Sequence, residues 1–196
     1  MHFLMTVDVE SFSIPLNRED AEIARLVYEI GLPRLLDLLS KHDIKCTFYF
    51  TGMFVEQSPE SVELVREHGH EIGCHGYDHS PERAFDMLSY EEQVNELKKA
   101  KTVIEGVAGR IESFRAPMLR MNEATVRALE EAGFKTDSSV ASQSIEYLFA
   151  DVIRHKLKLK NLGQTSLKLL DDVLASASEY GFEFVSAREY MKLYKV

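Results

Sequence analysis

Short apolar runs alternate with longer amphipathic segments along this chain, and this alternation constrains the fold more than any other feature. Strands alternating with helices are typical of α/β folds whose sheet is mainly parallel. The pattern leaves two architectures open, a barrel and a doubly wound sheet. A length of 196 residues without repeats or linkers predicts one domain, covering residues 1–196. Strands are predicted at 2–9, 45–52, 70–74, 110–117, 134–139, 152–159 and 182–186.

Proline, glycine and capping residues mark the ends of the predicted helices. Apolar residues follow helical spacing from 18 to 42. Gly31 followed by Pro33 predicts a break into two helices, because proline fits the first turn of a helix but not its middle. Ser89 and Glu92 have the spacing of a capping box, which predicts the start of a long helix. The other helices are predicted at 58–69, 122–133, 166–180 and after the capping pair Ser186 and Glu189.

Charge and cysteine content bear on partners and compartment. A net charge of −9 and a pI near 5.3 argue against a general binder of nucleic acid or of anionic membranes. The N-terminal MHFLMTVDVE has no cationic leader and no small-residue cleavage site, and no apolar run approaches the ~20 residues that span a bilayer. Cys46 and Cys74 lie in apolar stretches and are expected to be buried free thiols. A cytoplasmic location is therefore expected.

Charged and polar side chains recur where the predicted strands end, which is where parallel α/β folds build their active sites. Asp8 and Glu10 are two residues apart on a strand and therefore face the same side. No glycine-rich phosphate loop and no GxSxG motif is present. The later strand ends carry His75 and His79, then Arg115-Ala116-Pro117, then Asp137-Ser138-Ser139.

The two histidines and the two acids suggest a metal centre. A catalytic zinc-like site takes three protein ligands from histidine and carboxylate side chains and keeps one position open. His75, His79 and one first-strand carboxylate supply such a set, and the other carboxylate is free to accept a proton from water. Taken alone, two histidines four residues apart are more often ordinary turn residues. The charged groups at the other strand ends favour the metal centre.

Four motifs in order, TVDVE, GHEIGCHGYDH, FRAP and TDSS, resemble the signature of the polysaccharide deacetylases, the NodB-homology domain of carbohydrate esterase family four. The stretch EIGLPRLLDLLSKHDIKCTFYFTG is similar to that family as well, so the resemblance covers most of residues 1–140. It implies an irregular (β/α) barrel of about seven parallel strands. It also implies a divalent metal ion, with zinc favoured and cobalt, nickel or manganese as alternatives.

The resemblance assigns roles to individual residues. Asp8 corresponds to the catalytic base, and Arg115 to the arginine that orients it. His75 and His79 correspond to the metal-binding histidines. The remaining two assignments are Asp137, for the acid that tunes the histidine acting as general acid, and Met118, whose backbone N–H helps to hold the oxyanion.

This chain departs from the family pattern at two positions. The common first motif, TFDDG, has a metal-binding aspartate where this chain has Val9, so Glu10 is expected to be the third ligand, as in the DxD or DxE branch. The alternative is that Asp8 itself binds the ion. The general acid is usually followed by proline, whereas the one candidate here, His155, is followed by Lys156. His155 is equally compatible with a core or surface histidine.

The sequence therefore predicts a metal-dependent hydrolase of a non-peptide C–N bond. The expected reaction is N-deacetylation of an acetamido sugar, with a small molecule or oligosaccharide as substrate and neither nucleic acid nor membrane as partner. One alternative is hydrolysis of a small cyclic amide or imide, which some relatives of the DxD/DxE branch perform. Another is a non-catalytic metal-binding or sugar-binding module. The oligomeric state is not predicted.

Overall fold

The computed structural model describes residues 2–13, 18–140 and 162–194. Of the seven predicted strands, six lie in this part of the chain and are confirmed, most with shorter bounds; the predicted strand 152–159 lies outside it. The first predicted strand is divided at Met5 into two. The strands are β1 (His2–Leu4), β2 (Thr6–Val9), β3 (Phe12–Ser13), β4 (Arg18–Glu19), β5 (Thr47–Phe50), β6 (Glu71–Cys74), β7 (Ser113–Phe114), β8 (Thr136–Asp137) and β9 (Glu183–Val185).

A five-stranded parallel sheet forms the centre of the fold, in the order β2-β5-β6-β7-β8. Strand β1 leaves this sheet and pairs in parallel with β9, so the first predicted strand joins two sheets. Strands β3 and β4 form a short antiparallel pair that the sequence did not predict. All four residues of β5 and of β6 are buried, because helices cover the central strands.

Helices connect the strands. They are α1 (Ala21–Leu26), α2 (Leu32–Lys41), α3 (Gly52–Gln57), α4 (Pro59–Glu67), α5 (Tyr90–Ala108), α6 (Glu123–Glu131), α7 (Leu162–Glu179) and α8 (Ala187–Tyr194). Capping boxes begin α5, with Ser89 and Glu92, and α8, with Ser186 and Glu189, as predicted. Helix α3 was not predicted. Within the described ranges, no helix combines the length and the apolar character needed to cross a membrane.

The predicted break at Gly31 and Pro33 is wrong. Helix α1 continues through a π-helical turn, Val27–Gly31, directly into α2, and Gly31 keeps a right-handed helical backbone. The N–H of Leu32 bonds to the carbonyl of Val27, five residues back. Proline removes an N–H group and crowds the carbonyl four residues earlier in an α-helix. We infer that the wider π-turn accommodates that missing donor without ending the helix.

A buried carboxylate joins the C-terminal segment to the central sheet. Glu71 in β6 is 9% exposed, and it accepts hydrogen bonds from the hydroxyls of Thr47 (3.0 Å) and Ser113 (3.0 Å) and from the backbone N–H of Arg188 (2.8 Å). The Thr47 hydroxyl in turn accepts from the N–H of Ala187 at 2.9 Å. The first N–H groups of a helix have no intrahelical partner. The side chains of Thr47 and Glu71 therefore accept hydrogen bonds from the first two N–H groups of α8.

Candidate active site

The parallel ladder carries the predicted site residues to one edge of the sheet. The N–H of His75 donates to the last carbonyl of β5 (2.8 Å), that of Arg115 to the last carbonyl of β6 (2.9 Å), and that of Ser138 to the last carbonyl of β7 (2.9 Å). Each of these residues stands one position beyond its strand. Val9, the buried last residue of β2, separates Asp8 from Glu10, and the side chains of these two acids are 37% and 33% exposed. Adjacent strands thus place the predicted groups around one opening.

Glu10, His75 and His79 form the cluster that the sequence predicted. Their ligand atoms all lie within 4.8 Å of one another. The Nε2 atom of His79 is 2.7 Å from Oε2 of Glu10, and Nε2 of His75 is 4.0 Å from the same oxygen. The second carboxylate oxygen of Asp8 is 3.9 Å from His75 Nε2, which is too long for a hydrogen bond. The pair of histidines therefore faces both first-strand acids.

The hydrogen bond of His75 fixes its tautomer. Its Nδ1 lies 2.9 Å from the backbone carbonyl of Arg115, and a carbonyl oxygen only accepts, so Nδ1 carries the proton. The unprotonated Nε2 then faces Asp8 and Glu10. Burial lowers the pKa of His75, although the nearby Asp8 carboxylate acts in the opposite direction. A neutral ring held through Nδ1–H is the usual state of a metal-binding histidine.

The surroundings of Glu10 and His79 fit a cation between them. Among the described residues, Glu10 Oε2 is buried without a correctly oriented hydrogen-bond donor, even though His79 Nε2 is 2.7 Å away. Burial lowers the pKa of His79, but the hydrogen bond and charge of Glu10, together with the His79 backbone and the charge of Glu19, outweigh burial, so the net shift is upward. A carboxylate and an imidazole this close share a proton or a metal ion. Two imidazoles and one carboxylate are a ligand set typical of catalytic zinc.

Arg115 links the acid Asp8 to the end of β8. Its Nη1 donates to Asp8 Oδ1 at 3.0 Å, its Nη2 donates to the hydroxyl of Ser138 at 2.7 Å, and its Nε donates to the Ser138 carbonyl at 3.3 Å. The guanidinium also lies 4.8 Å from the centre of the Tyr49 ring. Because the arginine is held on three sides, it orients the Asp8 carboxylate and leaves Oδ2 directed toward the histidines.

Asp137 is part of the same edge. Its Oδ1 accepts hydrogen bonds from the hydroxyl of Ser139 and, at 2.9 Å, from the backbone N–H of Ser139. The Ser139 hydroxyl accepts from the N–H of Ala116 at 2.8 Å. Asp137 is thereby connected to the strand end that carries Arg115. His155, the predicted general acid, lies outside the described residues, so the role of Asp137 stays a prediction.

Met118 has an unusual backbone. It occupies the 3₁₀ turn Pro117–Leu119 with φ 56° and ψ 12°, and Leu119 follows with φ 56°. Left-handed conformations at residues other than glycine cost about 1–3 kcal/mol each and concentrate at functional sites. The predicted use of the Met118 N–H for an oxyanion is compatible with this strained turn and stays a prediction.

Sequence reasoning gave no role to three residues that support the site. Ser138 belongs to the TDSS motif, so its position was visible but its contact with Arg115 was not. Tyr49 was indistinguishable from other aromatic residues of β5. Glu96 in α5 accepts a hydrogen bond from the backbone of Asp78, between the two histidines. The sequence feature that could have pointed to Glu96 is the presence of two polar residues, Gln93 and Glu96, on the buried face of an amphipathic helix.

Comparison with known proteins gives one sequence family. The family model described as polysaccharide deacetylase matches residues 20–136. A peptidoglycan deacetylase of Helicobacter pylori is 32% identical over 113 residues, which are 57% of this chain and 38% of that protein. The chain spans 35% to 38% of the length of the first three curated relatives that it matches.

Solved structures give the same fold. An acetyl xylan esterase of family four from Clostridium thermocellum, in complex with a cobalt ion, has a TM-score of 0.67 at 20% identity and covers 98% of this chain and 90% of its own. A pseudoenzyme of the CE4 family from Bacillus anthracis has a TM-score of 0.69 at 21% identity and covers 95% of this chain and 63% of its own. The expected α/β architecture, the (β/α) barrel of the NodB-homology proteins, is confirmed, and this chain belongs to the polysaccharide deacetylase family.

Proposed function

We propose that this chain is a metal-dependent hydrolase that removes the acetyl group from an N-acetylated sugar. The observation that carries the proposal is the Glu10, His75 and His79 cluster beside the Asp8–Arg115 pair. One group of side chains offers three ligand atoms, and the adjacent pair offers an oriented carboxylate. The sugar substrate is proposed from the peptidoglycan deacetylase relatives.

Glu10, His75 and His79 would hold the ion, and zinc suits this ligand set best. When bound, a divalent ion supplies Lewis acidity, which polarises an amide carbonyl and makes water a better nucleophile at neutral pH. Cobalt, nickel and manganese remain alternatives, because carboxylate and imidazole ligands also suit those ions. Assigning the ligand role to Glu10 leaves Asp8 free for proton transfer.

Asp8 acts as the general base. Arg115 engages Oδ1 at 3.0 Å, and Oδ2 lies 3.9 Å from His75 Nε2, so Oδ2 borders the space between the acids and the histidines. A water molecule in that space can give its proton to Oδ2 as it attacks the acetyl carbon. The bond from the arginine restricts the rotation of the carboxylate.

Two further groups complete the proposed reaction. The backbone N–H of Met118 stabilises the oxyanion that forms on the acetyl oxygen. The departing nitrogen needs a proton, which we assign to His155 with Asp137 as its partner. Both assignments come from the family resemblance.

Replacing Asp8 with Asn tests the base. The variant is expected to bind Co²⁺ with the affinity of the unaltered protein and to lose turnover by at least about 100-fold, because a general base contributes about 100- to 10,000-fold. Release of free amine from N-acetylglucosamine oligomers measures turnover, and titration of metal-free protein measures Co²⁺ affinity. Full activity in Asp8→Asn would show that the base is assigned incorrectly.

The unaltered protein separates the rival functions in the same assay. Ring opening of a cyclic imide without amine release from the oligomers would favour the cyclic amide hydrolase. Bound metal without hydrolysis of either substrate would favour a non-catalytic module. Absence of Co²⁺ binding would refute the metal centre itself.

A further inference from the structure

The loop that carries both histidines is fixed at three consecutive residues. The first two N–H groups of α3, from Gly52 and Met53, donate to the carbonyls of Gly76 (2.9 Å) and Tyr77 (3.0 Å). The third point is the N–H of Asp78, which donates to Oε1 of Glu96 at 3.2 Å. Of the three bonds, the one to Glu96 is the nearest to His79 along the chain. It therefore restrains the backbone that leads into His79, the second proposed histidine ligand.

The carboxylate of Glu96 is itself held in place. It lies on α5, and the residue is 6% exposed. Its other oxygen, Oε2, accepts a hydrogen bond from Nη2 of Arg83 at 3.0 Å. Asp78 also accepts, through Oδ1, a hydrogen bond from the N–H of Ser80 at 2.7 Å. One buried acid therefore connects the helix layer to the short turn that surrounds His79.

The two histidine rings are held differently. The ring of His75 is fixed by its Nδ1–H bond to the Arg115 carbonyl. Among the residues that the structure describes, Nδ1 of His79 is buried without a hydrogen-bond partner. The His79 ring packs against Phe12, with centroids 5.7 Å apart, and against His75 at 5.3 Å. Nε2 of His79 lies 2.7 Å from Glu10, which is itself a proposed ligand, and ring packing sets no donor direction. The position of His79 Nε2 therefore also depends on the backbone before it.

We propose that Glu96 is a positioning residue for the ligand His79, acting through the N–H of Asp78. The inference rests on the proposed metal centre. A carboxylate that accepts from a backbone N–H in a buried setting makes a strong hydrogen bond. Loss of the bond between Asp78 and Glu96 would free the turn before His79, and the His79 ring would then adopt a wider range of orientations. Partners outside the ligand shell typically change metal affinity by about 10- to 100-fold when removed.

Glu96→Gln tests the proposal, because it keeps the shape of the side chain. Asp78 and Arg83 donate to different oxygens of Glu96, and glutamine has an NH₂ group in place of one of them, so one bond is lost. The bond that remains loses the strength that the negative charge gives it. Glu71→Gln is the matched control. Glu71 is a buried carboxylate too, but it lies at the opposite end of β6 and bonds to strand hydroxyls and the start of α8. Both variants make the same chemical change, and Glu96 is the one that contacts the ligand loop.

The measurement is titration of metal-free protein with Co²⁺, followed by visible absorption, with folding checked by circular dichroism. The expected result is a loss of affinity of about 10- to 100-fold for Glu96→Gln and an altered absorption band, against a change below about 3-fold for Glu71→Gln. Equal affinity of Glu96→Gln and the unaltered protein would overturn the proposal. An equal loss in both variants would overturn it as well, because the effect would then be one of general stability.

Two other results are covered: unaltered protein that does not bind Co²⁺, and a Glu96→Gln variant that does not fold. If the unaltered protein does not bind Co²⁺, the proposed metal centre fails, and the positioning role fails with it. If Glu96→Gln does not fold, Glu96→Asp keeps the charge but shortens the side chain by one methylene. That variant is expected to lose affinity by about 3- to 10-fold, at or below the lower end of the range for such partners. Unchanged affinity in a folded Glu96→Asp variant would also overturn the proposal.

Discussion

Replacing Arg115 with Lys should separate proton transfer from metal binding. The guanidinium bonds at the same time to Asp8 Oδ1 at 3.0 Å and to the hydroxyl and carbonyl of Ser138. Lysine has one ammonium group at the end of a flexible chain, so it cannot satisfy both partners in the same geometry. The variant keeps the positive charge beside Asp8 but loses the restraint on its rotation.

The expected loss of activity in Arg115→Lys depends on how exposed Asp8 and Arg115 are to solvent. A hydrogen bond to a charged group contributes about 1.5–3 kcal/mol. The Asp8 side chain is 37% exposed and that of Arg115 15%, so solvent weakens their interaction and the lower part of the range applies. A loss of about 1.5–2 kcal/mol corresponds to a decrease in kcat of about 10- to 30-fold. Co²⁺ affinity should change little, because His75 bonds to the backbone carbonyl of Arg115, which lysine retains.

Steady-state release of amine from N-acetylglucosamine oligomers gives kcat and KM, and Co²⁺ titration gives the affinity. Ser138→Ala is the graded control, because it removes the contact with Nη2 and leaves the backbone contact with Nε. Its expected loss in kcat is about 2- to 5-fold, or about 0.5–1 kcal/mol, because the bond from Nη1 to Asp8 and the contact of Nε both stay. A wild-type kcat in Arg115→Lys would refute the orienting role. A large loss of Co²⁺ affinity would refute the separation of the two functions.

Two predictions concern stability away from the active site. Glu71→Ala should lower the free energy of unfolding by about 3 kcal/mol, because three hydrogen-bond donors lose a buried carboxylate. Thermal unfolding should then show a Tm lower by roughly 6–12 °C, and a decrease below about 2 °C would contradict the prediction. Burial, followed by the charge of Lys45, lowers the pKa of His70 from 6.5 to about 4. The neutral ring therefore stabilises the fold above about pH 6.5, and this stability is lost as the pH falls toward 4. Urea unfolding should show a loss of at most about 2 kcal/mol between about pH 7.5 and about pH 5, and this loss should disappear in His70→Asn.

The proposed metal ligands were predictable because their positions depend on local patterns. Glu10 and His75 follow strands that are each recognisable from a few apolar residues, and parallel pairing brings strand ends to one edge. His79 follows at a fixed distance along the chain. Arg115 and Asp8 were found in the same way, and the pairing of the two followed from the resemblance.

The supporting contacts were not predictable because they depend on how helices pack. The contact between Glu96 and Asp78 depends on the rotation of α5 about its axis and on the depth of the helix against the sheet. The continuous helix through Gly31 and Pro33 depends on a π-turn, which propensities for α-helix do not describe. Helix α3 was missed because six residues are too few to show a periodic pattern.

The first strand has a consequence for the order in which the molecule assembles. Its second half, β2, pairs with β5, which is close in the sequence, so Asp8 and Glu10 can be placed beside their neighbours early. Its first half, β1, pairs with β9, so that His2 lies opposite Glu183. Closing so long a loop costs more chain entropy and is slower than closing a short one. The edge of the central sheet that carries Asp8 and Glu10 can therefore form while a growing chain still lacks β9, the partner of β1.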